Sequence, residues 1–323
     1  MRRILKSLLF AAALLPLGGL VSLPSSAQEL IRFGAAQVSA GGLPVIIADQ
    51  KGFFAAEGLK YERTDFKGGG PAAQALASGS IDICICAADH AIHLEEHGLG
   101  GKVLVGLADQ HSYALIGKAD SPAKSIADLK GQKIGITTAG SLTDTTIRYV
   151  IKKAGFDPDK DFQLLSVGRA GAQQAAIKAG AIAAGMFSTP DIQITMSEKG
   201  AFKIIEDFRK LAYPAQDLVI TDTWLKAHPE QAAKVTRAVV KALKLIQQDK
   251  TVLRPAIKAI FPELTDEALL DRITDDVAAG YLSKDGIMTR ESFDTLMQIM
   301  VLADPKLKLV KYEDIMVMTY LGK

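Results

Sequence analysis

The chain has 323 residues, with 38 Lys and Arg against 36 Asp and Glu, 48% hydrophobic residues and two cysteines. That length is enough for two domains of ordinary size. Nothing in the near balance of charge asks for a nucleic acid, whose binding face would carry a concentrated basic stripe, and no nucleic-acid partner is expected.

Arg2, Arg3 and Lys6 precede an apolar run from Leu8 to Leu23, and Ser25 and Ala27 are small residues at the two positions a signal peptidase reads. Residues 1–27 are therefore expected to be an export signal cleaved near Ala27, the mature chain starting near Gln28. Pro16, Gly18 and Gly19 interrupt the run and leave it short of the ~20 apolar residues of a membrane anchor. The segment has no cysteine to take a lipid. Without Arg2, Arg3 and Lys6 the chain carries 35 basic residues against 36 acidic ones, a formal net charge of −1.

Leu30 to Ala36 reads as a first strand, followed by the flexible connection Gln37 to Gly42 and a helix from Pro44. Gly52 and the Phe53-Phe54 pair end that helix, and a turn at Gly58 launches a second strand with an imperfect period of two. Gly68, Gly69 and Gly70 stop this strand, and Pro71 opens the next helix at a position where its missing N–H costs nothing. Ile81 to Ala87 is a continuously apolar strand of the kind buried on both faces of a parallel sheet, and Val103 to Ala108 is another. Cys84 and Cys86 lie in the first of these. Two apart on a strand they share a face, but a bridge would close a very small, strained ring, so a reduced, buried pair is expected.

The pattern changes at Gln110 to Tyr113 and a second α/β series begins. It comprises strands at Ala114 to Gly117, Lys133 to Thr137, Phe162 to Val167 and Ala181 to Phe187. The helices between and after them run from Thr143 to Ala154, Gly171 to Ala179 and Pro190 to Lys199. A return to the first unit is expected near Asp217-Leu218-Val219-Ile220. Amphipathic helices at 230–248, 265–279 and 289–302 follow, expected to cover a lobe.

The segments GFFAAEGLKYE, KGGGPAAQALASGSIDI, DLKGQKIGI and AGFDPDKDFQLLSVG resemble the periplasmic solute-binding proteins of ABC importers that serve sulfonates, taurine, nitrate, aromatic carboxylates and thiamine precursors. The likeness runs from about Leu30 to about Val240. It implies an α/β fold of the type II-like periplasmic binding protein, with two chain crossings at a hinge. The expected organisation is a first lobe over 28–112, a second over 113–217, and a return to the first over 218–323. The function so implied is capture of a small organic, expectedly anionic, solute in the periplasm and its delivery to an ABC permease of the inner membrane, with no cofactor. Where an acidic residue is common in the family this chain has Ala183.

Three helix starts beside strand exits offer bare N–H groups and a partial positive charge to an anion: Gly69-Gly70-Pro71, Gly140 to Thr143, and Ser188-Thr189-Pro190. In a doubly wound sheet such exits lie where ligands bind. The candidate contacts are Gln37 and Ser39 after the first strand, Gly69, Gly70, Ser141, Thr143 and Ser188. Ordinary turns and helix caps are the competing readings. Arg169 could clamp a carboxylate or sulfonate with two parallel hydrogen bonds, or lie solvated in a loop. Asp89 could cap its helix or receive a cationic or hydroxyl group. Phe187 and Tyr213 are expected as apolar walls.

His90, His93 and His97 share a helical face with Glu96 nearby, a spacing that could hold zinc or copper, but Ile92, Leu94 and Leu99 show that this segment also packs. A metal carrier is thus one alternative, and an enzyme on the same scaffold acting on a thiamine-precursor-like or aromatic molecule is another. The chain carries no nucleophile elbow, HExxH or P-loop, and a non-enzyme is expected.

Overall fold

The computed structural model describes residues 28–322; the export signal expected over 1–27 lies outside them. Ten strands form two five-stranded sheets. The strands are β1 (Glu29–Ala35), β2 (Leu59–Asp65), β3 (Ile83–Cys86), β4 (Gly101–Gln110), β5 (Tyr113–Lys118), β6 (Lys133–Ile136), β7 (Gln163–Ser166), β8 (Ala184–Ser188), β9 (Phe202–Asp207) and β10 (Ala212–Thr221). The first sheet has the order β2-β1-β3-β10-β4 and the second β7-β6-β8-β5-β9.

In each sheet four strands share one direction and a single strand, β10 or β5, runs against them. β1 pairs parallel with β2 and β3, and β10 lies antiparallel to β3 and β4. β6 pairs parallel with β7 and β8, and β5 lies antiparallel to β8 and β9. This is the two-lobed α/β fold. The chain leaves the first sheet between β4 and β5, at residues 111–112, and re-enters it between β9 and β10, at residues 208–211. The return thus precedes the expected boundary at 217/218: Asp217 is the middle of a strand that already belongs to the first sheet.

Alternation on β3 divides the first lobe's core. Ile83 and Ile85 face the helices Leu43–Gln50, Pro229–Gln248 and Leu253–Ile260, while Cys84 and Cys86 face the layer that includes Ala91, Ile92, Phe293 and Leu296. The structure joins Cys84 and Cys86 as a disulfide, so the reduced pair is corrected. Their Cα atoms are 5.5 Å apart, within the span that a disulfide bridges, and both side chains leave the same face of the strand.

The C-terminal helices do not all cover the first lobe. Helix Arg290–Ala303 also packs on helix Leu142–Lys153 of the second lobe, and Lys152 Nζ donates to the Ala303 carbonyl at 2.7 Å. One buried cluster accordingly runs through the hinge, from Ala91 and Val219 to Ile134, Met186 and Ile147.

Candidate functional site

Loops at the carboxyl ends of the strands face one another across the two crossings. β1 ends into Ala36 and Gln37, and β2 leads to the helix Gly69–Ala77, whose first residue is buried. From the second lobe, β6 leads through Thr137 to the helix Leu142–Lys153. Together with His90, Tyr113, Ser141, Ala215 and Gln216, these residues line a gap of about 20 Å³. That space suits about one water molecule, so a solute of several heavy atoms enters only as the lobes part. Gln37 also lines a chamber of about 200 Å³ farther out, with Val38, Arg169, Asp191, Phe261 and Glu263.

Polar side chains around the gap hold one another and also tie the lobes together. Gln37 Nε2 donates to Ser188 Oγ across the lobes at 3.1 Å, and the Ala40 N–H donates to the Thr189 carbonyl at 3.0 Å. Ser39 Oγ donates to Gln216 Oε1 at 3.2 Å, and Gln216 Nε2 donates to the Ile85 carbonyl at 3.0 Å. In the second lobe the hydroxyls of Thr137, Ser141 and Thr143 form a triangle with edges of 2.8 to 3.0 Å. Thr143 Oγ1 also accepts from the Thr137 N–H at 2.9 Å. Thr143 therefore shapes the loop from behind rather than facing the gap.

Gly69 and Gly70 stand where the lobes come closest. A Cβ at Gly69 would lie 2.0 Å from His90 Nε2, and one at Gly70 would lie 3.2 Å from the Ala139 carbonyl oxygen of the other lobe. Arg169 is half-buried at the start of the helix Ala170–Lys178 rather than solvated in a loop. Its Nη2 and Nε donate to the Phe66 carbonyl of the first lobe, at 2.9 and 3.3 Å. Asp191 beside it is pushed up to about 7 by burial, with Arg169 opposing the shift and Glu263 adding to it.

Phe187 and Tyr213 are fully buried and do not line the gap; Tyr113 does. Phe187 packs under the second sheet, and Tyr213 joins His111 in an aromatic cluster at the crossing, with ring centroids 5.2 Å apart. His111 is completely buried, its Nε2 2.9 Å from Thr146 Oγ1, and burial pushes its pKa down to about 3.

The three histidines of the helix Asp89–Glu96 and its C-cap go separate ways. His90 is buried at the gap, and burial lowers its pKa. His93 Nδ1 lies 3.3 Å from Glu96 Oε2, and His97 Nδ1 donates to the His93 carbonyl at 2.7 Å. Among the described residues no group of three His, Cys, Asp or Glu side chains is placed to hold a metal ion. Asp89 is buried beside His90 and makes no side-chain cap on the helix it begins. His90, Tyr113 and Gln216 were not among the candidate contacts of the sequence. The available signal was a polar or aromatic residue at a lobe crossing or directly after a buried strand.

Residues 41–250 match the family described as NMT1/THI5 like. The chain is 24% identical over 266 residues to "Putative binding protein YtlA" of Bacillus subtilis (strain 168), covering 80% of this chain and 78% of that protein. A solved structure from Bordetella bronchiseptica RB50 superimposes with a TM-score of 0.80 at 25% identity, over 91% of this chain and 96% of that one. The periplasmic aliphatic sulphonate binding protein SsuA of Escherichia coli does so with a TM-score of 0.66 at 16% identity, over 86% and 93%.

Proposed function

The chain belongs to the NMT1/THI5 like family, and from that premise we propose that it is the solute-binding component of an ABC importer, exported to the periplasm, where it closes two lobes over a small organic solute and hands it to a membrane permease. One observation carries this reading: residues from both sheets converge on a single gap beside the two chain crossings. Closing such a gap is a hinge motion, and a ligand touching both lobes shifts the population toward the closed form. Solved structures of the same fold support it, among them the periplasmic sulphonate binding protein of Escherichia coli.

In this reading Gln37, Gly69 and Ser141 touch the solute, joined by His90, Tyr113 and Gln216. Ser39, Thr143 and Ser188 hold those groups in place, and Gly70 keeps the approach of the lobes open to backbone. The N–H groups that begin the helices at Gly69 and Leu142 receive the solute's acidic group, a sulfonate or carboxylate. No chemical step is assigned to the gap.

A thermal-shift screen of sulfonates, aromatic and aliphatic carboxylates and pyrimidines tests this, with the solute assayed after the incubation. A ligand that binds only the folded form raises the melting temperature with concentration, by about 2.7 kcal/mol of stability at 100 times its Kd, and is recovered unchanged. Conversion of the compound, or no shift from any class, contradicts the proposal.

A further inference from the structure

A solute with an acidic group meets a wall that holds no fixed positive charge. The residues lining the gap include no lysine or arginine, and only His90 and Tyr113 among them can ionise. Burial pushes the Tyr113 phenol well up, so it stays uncharged. His90 is then the one lining group that can turn positive. Its ring is packed against Gly69, where the helix Gly69–Ala77 begins, and so stands beside the N–H groups that receive the acidic group.

Behind this imidazole lies a carboxylate without a partner. Asp89 is fully buried, and neither of its side-chain oxygens has a hydrogen-bond partner among the described residues. Its Oδ1 lies 3.8 Å from His90 Nε2, beyond hydrogen-bond distance. Without a solute the imidazole is neutral, because burial lowers the pKa of His90; Asp89 opposes that shift and His93 adds to it. The elements packed against this helix bring no cation to the pair. On β10 the ionisable groups near Asp89 are Tyr213 and Asp217. On β4, Lys102 is turned to Glu95 and Asp222, and Asp109 accepts from Thr289 and Ser292. β3 and the helix Gly69–Ala77 carry no ionisable side chain besides the bridged cysteines. An arriving anion changes the balance: a second negative charge favours the imidazolium, whose two N–H donors can serve both acids.

We propose that the solute's acidic group enters the gap together with a proton, taken up by His90, so that an imidazolium stands between Asp89 and the captured anion. This rests on the reading of the gap as the solute site and adds how that site meets the solute's charge. The proton comes from the surrounding water, cancels the charge the solute brings in, and leaves with the solute on release. Proton and solute therefore favour each other's binding reciprocally, and capture strengthens as the pH falls.

Isothermal titration with ethanesulfonate, benzenesulfonate and benzoate, all ionised between about pH 6 and about pH 8, tests this in phosphate and in Tris, whose different heats of ionisation report the protons exchanged. Each anion that binds takes up between about half a proton and about one proton per site near pH 7, and its Kd rises about ten-fold from about pH 6 to about pH 8. In His90→Gln both effects vanish. In Asp89→Asn, which keeps the imidazole but not the carboxylate behind it, the uptake falls by at least about half. Binding without proton uptake and with the same Kd at both pH values overturns the inference and leaves the gap as the solute site; uptake that persists undiminished in either variant also overturns it. Binding by none of the three anions overturns both. The proton count of the parent protein needs no variant, so it decides even if His90→Gln fails to fold.

Discussion

Gly69 has no room for a side chain, because the ring of His90 occupies the place a Cβ would take, with Nε2 2.0 Å away. The glycine triplet was visible in the sequence as a strand stop and a helix start; its reason, a buried imidazole from a helix twenty residues on, was not. The same limit applied to Arg169. A guanidinium after a strand suggested an anion clamp or a solvated loop residue; it donates to a backbone carbonyl of the opposite lobe, a partner that local sequence never shows. That Gln37 and Ser141 line the gap between the lobes was legible because both follow strand exits, which in such sheets open toward the crevice. His111 carries the clearest pH effect. Its pKa is about 3 when folded against an ordinary 6.5, so below pH 6.5 the unfolded chain takes up a proton that the folded chain refuses. Its contribution therefore erodes stability as the pH falls from 6.5 toward 3, by at most about 1.4 kcal/mol per pH unit. Asp191, raised to about 7, acts in the opposite direction between pH 3.8 and 7 and is the same in a variant of His111. Urea unfolding from pH 6.5 to 4.5 is expected to show a shallower loss of stability in His111→Gln than in the parent; equal slopes would contradict the burial of a neutral imidazole.

Elements differed in how far the sequence revealed them. β3 is apolar throughout and β4 is so from Val103 to Ala108, so they announced themselves. β10 was only half legible: Pro214, Gln216 and Asp217 break its apolar run, and register irregularities fall along its pairing with β4. Those polar residues are there because the strand passes the gap, where Gln216 is bonded to Ser39 and to the Ile85 carbonyl. Helix Leu253–Ile260 escaped notice because Pro255 lies within it; in the first turn proline removes an N–H that has no intrahelical acceptor. Between elements the most telling contact is the one from Arg169, at the start of helix Ala170–Lys178, to Phe66, just past β2. A hydrogen bond to a charged group contributes about 1.5–3 kcal/mol, enough to move a two-state equilibrium more than ten-fold. Arg169→Ala is expected to leave the lobes farther apart without solute, seen as a larger radius of gyration in solution scattering. Solute affinity would fall by about ten-fold. An unchanged radius would show that this contact does not hold the lobes together.

At the scale of the whole molecule, two α/β series separated by a change of pattern near Gln110 to Tyr113 were enough to expect two lobes and two crossings. The return crossing was displaced because its strand carries the polar residues of the gap. The closeness of the lobes lay beyond the sequence altogether, since it depends on side chains of one lobe meeting backbone of the other. The gap of about 20 Å³ and the outer chamber of about 200 Å³ share Gln37 in their walls, and both lie between the lobes. Other hollows do not, two of them large. One of about 390 Å³ is lined by Arg32, Trp224 and His228 on the first lobe, and one of about 650 Å³ by Tyr149, Lys153 and Phe208 beside the second sheet.

A crystal structure of the protein with the solute selected by the thermal-shift screen decides among these places. The molecule is expected between the lobes, within hydrogen-bond reach of Gly69 or Gln37 on one side and of Ser141 on the other. Density for it in either outer hollow, with the gap between the lobes unchanged, would contradict the account.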